Sequence, residues 1–356
     1  MKIISLFTGA GGLDLGFKKA GFDIVWANEY DSAIWDTFES NFPETVLDRR
    51  SITEIPATEV PDALGMIGGP PCQSWSEAGA GRGIKDKRGQ LFFEYVRLIE
   101  EKQPLFFLAE NVSGILFPQH EKAFTAILKS FSDVGYNVTY KLLNANDYNV
   151  PQDRLRVIVI GYRKDLGINF EFPEPQPNRR TLRDAIFDLR YAKPAKQFNK
   201  TNGDTLKIPN HEYMTGGFST IYMSRNRVRS WNEPSFTIQA GGRHAPIHPQ
   251  APKMKFISQN KRVFVPGKEN LYRRLSVREC ARIQTFPDDF VFKYRDVADG
   301  YKMIGNAVPV EFAHHIAKKI YSDLAAMSKI TIPYGSLYEG TKELADVKNP
   351  LQEYQG

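Results

Sequence analysis

Residues 2–29 of the 356-residue chain read KIISLFTGAGGLDLGFKKAGFDIVWANE, and they contain the structural unit that recurs after them. Two short apolar runs, residues 3–7 and 24–27, are typical of strands. Between them lie a glycine-rich loop and a segment that would form the helix of a strand–helix–strand unit. Strand and helix patterns alternate in this way over the first 165 residues, which predicts an α/β fold whose mostly parallel sheet carries helices on both faces. Further apolar runs lie at residues 64–67, 105–109 and 157–160.

The composition is that of a folded globular chain. Hydrophobic residues make up 42% and charged residues 25%, which argues against collagen-like, coiled-coil and largely disordered chains. The two cysteines, Cys72 and Cys280, cannot build a disulfide framework or a four-thiolate zinc site, which favours a reducing compartment. The first apolar run is too short for a signal peptide and no run reaches about 18 residues, so we expect a cytoplasmic protein without membrane contact.

The sequence changes character near residue 171, where prolines and Asn/Gly turns replace the helical periods. We expect a first catalytic segment over residues 1–174 and a smaller, irregular domain over residues 175–290. The chain would then return to the first domain over residues 291–330 and end in a tail over residues 331–356.

Charge is concentrated in the second half. Residues 165–270 hold 17 Lys and Arg against 9 Asp and Glu, whereas the whole chain has a net charge of only +6. A basic segment on a slightly acidic body is typical of a polyanion-binding module joined to a catalytic body. A solvated, lysine-rich surface would give the same composition, so this alternative stays open.

Two helices are predicted near the end of the folded region. Ser276 with Glu279 three residues later forms a capping box, and the helix that it opens carries Cys280 on its apolar face. We therefore expect Cys280 in the core. Pro309 opens a last helix long enough to return to the first domain. Its inward positions are Phe312, Ile316, Ile320 and Leu324.

Polar residues follow several of the apolar runs, and the carboxyl ends of parallel strands bind ligands at one edge of a sheet. The first loop has Gly9, Gly11 and Gly12, but Asp14 stands where a dinucleotide fingerprint needs its third glycine. Glu29 after the second run is placed to accept hydrogen bonds from a ribose, and Tyr30 could stack on adenine. A nucleoside cofactor without a pyrophosphate fits this pattern, and S-adenosylmethionine is the commonest candidate; an ordinary tight turn is the alternative.

The second candidate group combines a thiol, an acid and two arginines. Cys72 follows Pro70 and Pro71 in a stiff loop of polar and turn residues, which favours a thiolate nucleophile over a buried apolar cysteine. Glu110 ends an apolar strand, where partial desolvation favours a protonated carboxyl that can donate a hydrogen bond. Arg154 and Arg156 alternate before the next strand, which predicts that both point to one side and bind an oxygen and a phosphate. Taken singly, each of these charged residues would more often belong to a surface ion pair.

Together these motifs resemble the DNA (cytosine-5)-methyltransferases in order and spacing, from about residue 2 to residue 321. The family has a Rossmann-like class I methyltransferase domain with a smaller target-recognition domain. One departure concerns the cofactor: where the family usually has an Asp for the adenine amino group, this chain has Ser51, which can still accept that hydrogen bond. The matching segments are residues 7–16, 69–73, 110–112, 152–156, 273–282 and 305–309.

The resemblance implies a role for each matching residue. Cys72 would add to carbon 6 of cytosine, Glu110 would bond to ring N3, Arg156 would hold O2, and Arg154 would help to order the loop. S-adenosylmethionine would leave as S-adenosylhomocysteine, and no metal is implied. The cofactor-binding residues implied are Phe7, Thr8, Gly9, Gly11, Gly12, Glu29, Tyr30, Ser51, Ile52, Pro71, Leu91 and Asn306.

The implied substrate is a cytosine flipped out of duplex DNA, because a stacked base cannot reach the nucleophile. Residues 74–88, rich in glycine, Lys and Arg, would form a mobile loop closing over phosphates. Within the family, the second domain resembles the branch that modifies the inner cytosine of GGCC. An arginine-rich reader suits a guanine-rich site. Spacing by two places Arg225, Arg227 and Arg229 on one face of an extended segment. The DNA-binding residues implied are Ser76, Arg88, Ile221, Arg225, Arg227 and Arg243.

This interpretation implies that the protein is a monomer. It also implies a restriction endonuclease that acts on the same DNA site and does not need to contact this protein. An NAD-dependent oxidoreductase would need a glycine at position 14. A tRNA cytosine methyltransferase shares the catalytic motifs, but its Cys-Phe-Thr tripeptide is missing from this sequence. A DNA-binding scaffold without activity has no use for Cys72 and Glu110, and a metal site on His244 and His248 has no third ligand at suitable spacing.

Overall fold

The computed structural model describes residues 1–71, 87–189 and 191–329, and its centre is a seven-stranded sheet. The strand order is β3-β2-β1-β4-β5-β7-β6. The first five strands in that order are mutually parallel, whereas β7 runs antiparallel to both of its neighbours. The strands are β1 (Lys2–Leu6), β2 (Asp23–Asn28), β3 (Val46–Asp48), β4 (Gly65–Gly68), β5 (Phe106–Val112), β6 (Tyr136–Asn144) and β7 (Leu155–Arg163).

Helices cover both faces of this sheet, as the sequence predicts. Successive side chains of a strand point to opposite faces, so Ile3 of β1 belongs to one buried cluster and Ile4 to another. Helices α1, α2 and α8 pack on the face of Ile3, and α3 and α4 pack on the face of Ile4. The helices of the described residues are α1 (Gly12–Lys19), α2 (Ser32–Asn41), α3 (Lys87–Lys102), α4 (Glu121–Asp133), α5 (Leu182–Ile186), α6 (Val277–Ile283), α7 (Val297–Asn306) and α8 (Val310–Lys329).

The two helices predicted near the end are confirmed. Ser276 Oγ accepts a hydrogen bond from the amide of Glu279, and Glu279 accepts one from the amide of Ser276, which begins α6. Cys280 is a free thiol in the core, and burial raises its pKa well above the ordinary value. Helix α8 follows Pro309 and packs against α1, so the end of the described chain closes on its beginning. Its four predicted inward side chains are fully buried.

Between Lys164 and Ser276 the elements are short. The strand pairs β8 (Lys193–Pro194) with β9 (Glu212–Tyr213) and β10 (Lys255–Ser258) with β11 (Lys261–Val263) are separate from the main sheet. A small apolar cluster stabilises this region, and α5 packs in the large core instead, although it falls within the predicted second domain. The predicted domain boundaries therefore stay a prediction. The buried members of the small cluster are Tyr222, Val228, Ile247, Ala251, Met254 and Tyr272.

No helix within these described ranges combines the length and the apolarity needed to cross a bilayer.

Candidate active site

A cavity of about 420 Å³ opens at the carboxyl ends of β1, β2, β4 and β5. This is the edge of the sheet at which the sequence predicts convergence, because the parallel strands all end there. Among the predicted site residues it brings together Phe7, Thr8, Gly9, Glu29, Pro71, Glu110 and Asn306. The full lining consists of residues 5–9, 13–14, 29, 31, 34, 68–71, 110–112 and 306–308.

Two glycines shape the loop between β1 and α1. Gly11 has a φ of +83° at the start of the helix, a left-handed conformation that L side chains rarely adopt. A Cβ on Gly12 would lie 2.3 Å from the carbonyl oxygen of Val308, so only glycine lets the loop of residues 306–308 come this close. Both residues shape the backbone around the cavity, and neither is part of its lining.

Glu29 is fixed at the edge of the cavity. Its Oε2 accepts a hydrogen bond from the amide of Gly9 at 2.9 Å, and its Oε1 accepts one from the amide of Asp31 at 2.8 Å. Burial raises the pKa of this carboxyl above its ordinary value. Each oxygen keeps a lone pair for a further donor, so the carboxylate can still accept hydrogen bonds from a ribose. Asp31 itself is paired with Lys302 at 2.5 Å.

Four other predicted cofactor residues do not line this cavity. The Tyr30 side chain is 72% exposed, and Ser51 Oγ lies 2.8 Å from Thr53 Oγ1. Ile52 is buried in the core on the α3 side of the sheet, and Leu91 packs against the same core. Their predicted roles in cofactor binding stay predictions.

The predicted acid and one predicted arginine form an ion pair. Glu110 Oε1 lies 2.7 Å from Arg156 Nε, and each side chain is only 12% exposed. Asn111, the next residue of β5, donates a side-chain hydrogen bond to the carbonyl of Pro70 at 3.1 Å. A Cβ on Gly69 would lie 3.2 Å from Glu110 Oε2. The loop after β4 is therefore held directly against the acid.

Arg154 has a different position from the one predicted. It is buried, and its guanidinium donates to the carbonyls of Ile238, Gly305 and Ala307 at 2.8–3.0 Å. Burial lowers the pKa of Arg154 well below its ordinary value. The expectation that Arg154 and Arg156 together bind an oxygen and a phosphate is wrong for Arg154, because its terminal nitrogens already hold three carbonyls. It joins the loop at 305–307, which borders the cavity, to the region around Ile238.

Several predicted residues lie outside the described part of the chain. Cys72 and Ser76 belong to the range 72–86, as does most of the predicted loop of residues 74–88. The side chain of Arg88 is also not described. Pro71, the residue before Cys72, is described and lines the cavity.

The predicted DNA-reading residues differ in their availability. Ile221 is 78% exposed, and Arg225 and Arg243 are exposed as well. Arg227 lies over the ring of Tyr222, 4.6 Å from its centre, and donates to the Tyr222 carbonyl. Three of the four predicted residues of this region that the structure describes are therefore open to solvent.

The sequence also predicted Arg229 on the same face as Arg225 and Arg227. In the structure Arg229 is paired with Asp153 at 3.0 Å and with Glu233 at 3.3 Å. It also lies over the ring of Phe236. The predicted common face is therefore wrong for Arg229. Its guanidinium links the part of the chain between Lys164 and Ser276, called the second region below, to the loop before β7.

One group of site residues is not indicated by the sequence motifs. Asp14 stands where the dinucleotide fingerprint has a glycine, yet its side chain is completely buried and lines the cavity together with Ser5 and the predicted Thr8. Burial raises the pKa of Asp14 to about 6, although the neighbouring hydroxyls of Thr8 and Ser5 oppose the rise. An acid in the first helical turn directly after a glycine-rich loop is the signal that could have identified it.

Comparisons with known proteins agree over nearly the whole chain. The sequence model of the family described as C-5 cytosine-specific DNA methylase matches residues 1–322. The type II methyltransferase M.MthTI of Methanothermobacter thermautotrophicus is 60% identical over 324 residues, which are 91% of this chain and 98% of that protein. M.FnuDI of Fusobacterium nucleatum is 58% identical, with 93% and 97% covered. Among solved structures, the methyltransferase EhMeth of Entamoeba histolytica has a TM-score of 0.67 at 15% identity over 91% of this chain and 98% of that one, a likeness of fold alone.

Proposed function

Because the chain belongs to the C-5 cytosine-specific DNA methylases, and so is a DNA (cytosine-5)-methyltransferase, we propose that it methylates the inner cytosine of GGCC in duplex DNA with S-adenosylmethionine as the donor. One observation carries the chemistry: the acid Glu110 and Pro71, the residue before Cys72, line the same cavity as Glu29 and Asn306. A base and a nucleoside cofactor could therefore meet at one point.

The cavity suits the proposed cofactor. Its volume of about 420 Å³ accommodates a molecule of this size, and it offers buried polar atoms that lack partners. Glu29 would accept hydrogen bonds from the ribose, and Asn306 also lines the cavity. The bound cofactor supplies a methyl group on a sulfonium centre. The residues of the chain have to hold the cytosine in line with that methyl group and make carbon 5 nucleophilic.

Cys72 would supply the nucleophile for cytosine. Its thiolate would form a sulfur bond to carbon 6, and the electrons of the C5–C6 double bond would move through the ring towards N3. Carbon 5 thereby becomes an enamine carbon that can accept the methyl group. A base would then remove the hydrogen on carbon 5, and the thiolate would leave as the C5–C6 double bond re-forms.

Glu110 and Arg156 would manage charge during these steps. Glu110 would donate a hydrogen to N3 as the thiolate adds, and would take it back when the thiolate leaves, so that it ends unchanged. Arg156, 2.7 Å from Glu110, would stabilise the carboxylate after it has lost its proton and would donate to O2 of the base. Arg154 would act only by positioning, through the carbonyls that it holds.

The DNA would be read by the second region. Arg225 and Arg243 are exposed and Arg227 is partly so, and arginine binds guanine O6 and N7 with two hydrogen bonds. These contacts support a guanine-rich site such as GGCC. The type II relatives support a place in a restriction-modification system, with an endonuclease that acts on the same sequence. We further propose that the enzyme works as a monomer, on the nucleoid DNA of a bacterial cytoplasm.

Bisulfite sequencing tests the base, the position and the sequence context together. Duplex DNA with one GGCC and one GCGC site would be incubated with the protein and S-adenosylmethionine, and tRNA would be treated in parallel. We expect conversion to be blocked only at the inner cytosine of GGCC. Protection at another cytosine would overturn the assigned site, and methylation of tRNA alone would replace DNA with RNA as the substrate.

A further inference from the structure

Three buried polar side chains at the cavity lack hydrogen-bond partners. Both carboxylate oxygens of Asp14, the hydroxyl of Ser5 and the hydroxyl of Thr8 make no hydrogen bond of normal geometry with the described residues. Asp14 and Ser5 have no exposed surface, and Thr8 has 8%. All three line the cavity, so their unused hydrogen-bonding capacity is available to a ligand bound there.

Such an arrangement is destabilising, because a buried carboxylate that makes no hydrogen bond of normal geometry loses its hydration and recovers only part of that free energy from the nearby hydroxyls. The other acids that line the cavity differ from Asp14, because each of them has a partner. Glu110 and Asp31, which also line the cavity, have Arg156 and Lys302 as ion-pair partners, and Glu29 holds two backbone amides. Among the described lining residues there is no Lys or Arg, so the charge at Asp14 has no cation within the wall itself.

The chemistry of the cluster specifies its ligand. One carboxylate and two hydroxyls, buried side by side, form a set of acceptors for a cation with several N–H donors. A primary ammonium group has three such donors, whereas a sulfonium centre has none. Within the described residues, no group of three His, Cys, Asp or Glu is arranged to hold a metal ion.

We propose that Asp14, with Ser5 and Thr8, binds the α-ammonium group of the amino-acid tail of S-adenosylmethionine; this rests on the proposed function. Glu29 and Asp14 then divide the cofactor between them. Glu29 receives the ribose hydroxyls, and the Asp14 cluster receives the tail. Asp14 stands where a dinucleotide fingerprint has its third glycine. In this assignment the same residue selects a nucleoside that carries an amino-acid tail.

Calorimetric titration with three ligands tests the assignment without use of catalysis. S-adenosylhomocysteine carries the ammonium group, its des-amino analogue lacks only that group, and 5′-methylthioadenosine lacks the whole tail. We expect Asp14→Asn to weaken S-adenosylhomocysteine binding by about 10-fold or more and to leave the other two affinities within about two-fold of wild type. Thr8→Val should act in the same direction with a smaller loss.

Glu29→Gln serves as the matched control, because it should weaken all three ligands, each of which has a ribose. Unchanged binding of S-adenosylhomocysteine to Asp14→Asn, or equal losses for all three ligands, would overturn the assignment. Should Asp14→Asn fail to fold, Thr8→Val with the same ligands decides. A wild-type protein that binds none of the three would instead contradict the proposed cofactor.

Discussion

Glu110 Oε1 lies 2.7 Å from Arg156 Nε, a diagonal contact between the neighbouring antiparallel strands β5 and β7, in which Arg156 pairs with Val112, two residues after Glu110. Both side chains are largely buried, so solvent and salt screen the attraction between their charges much less than in a surface ion pair. In the proposed mechanism Glu110 gives up and regains a proton, and Arg156 is the cation beside it. The antiparallel strand at this position of the sheet supplies that cation.

The first prediction concerns this pair. Glu110→Gln should lower the methylation rate by about 100-fold, because the amide cannot pass a proton to N3. Arg156→Ala should cause a loss of similar size by leaving the carboxylate unpaired, and the double variant should lose less than the product of the two effects. Single-turnover methyl transfer measures all three. Fully multiplicative losses would show that the two residues act independently.

The second prediction concerns the two thiols. Cys72→Ala should abolish methylation while the protein still binds duplex DNA, because only the bond to carbon 6 is lost. Cys280→Ala provides the control, since this thiol is buried in the core and its loss should affect stability more than activity. Methyl incorporation and gel-shift assays on the same preparations measure the two properties. Turnover by Cys72→Ala would refute its role as nucleophile.

The third prediction follows from the burial of Asp14. Its pKa rises from 3.8 to about 6 in the folded protein, so the folded state binds more protons than the unfolded state between these values. Without added ligand, the free energy of unfolding should therefore fall by about 3 kcal/mol in total as the pH rises from 3.8 to 6. Asp14→Asn should lack this fall.

Urea unfolding of both proteins at pH 4, 5, 6 and 7 measures the difference. The variant should gain stability relative to wild type as the pH rises to 6, and the relative stability should then stay constant. Saturating S-adenosylhomocysteine should reduce or reverse the gain, because the ligand partners the wild-type carboxylate. A difference between the proteins that does not change with pH would count against an uncompensated carboxylate at this site.

The fourth prediction separates base-reading arginines from structural ones. Arg227→Ala should cost ~1–3 kcal/mol of binding at the recognition site and little on random DNA. Arg229→Ala should instead lower the melting temperature, because Arg229 is paired with Asp153 and Glu233. Binding to cognate and random duplexes, together with thermal unfolding, measures both. An equal loss on the two duplexes would make Arg227 a phosphate contact.

The fifth prediction uses the contact between Gly69 and Glu110. A Cβ at Gly69 would lie 3.2 Å from Glu110 Oε2, so Gly69→Ala should displace the carboxyl by a few tenths of an ångström and slow methylation roughly 10-fold. At Gly217 a Cβ would meet no atom within 4 Å, so Gly217→Ala is the matched control. Steady-state methylation assays should leave the control near wild type. Equal rates for both variants would mean that Glu110 tolerates the shift.

The sequence was most informative where neighbours along the chain share one element. Apolar runs and helical periods predicted the sheet, its two covered faces, the burial of Cys280 and the inward face of α8, because each depends on spacing within a single segment. The strand β6 escaped detection. It lies at the edge of the sheet with several exposed side chains, so its sequence, YNVTYKLLN, shows no continuous apolar run.

Partners from distant parts of the chain could not be predicted in the same way. Arg154 and Arg156 have the spacing of one strand face, but β7 begins at Leu155, so the alternation does not include Arg154. Its carbonyl partners lie 84 to 153 positions further along the chain. Arg229 likewise meets Asp153 across 76 positions.

Local order along the chain therefore specified the elements and the motifs, because periodicity, turns and caps depend on residues only a few positions apart. The folded arrangement alone assigned partners to the charged side chains, since burial and the close approach of remote backbone determine which of them is neutralised. Asp14 shows the difference. Its sequence position argued against a dinucleotide cofactor, and only its burial beside Ser5 and Thr8 in the cavity wall supports the ligand that we propose for it.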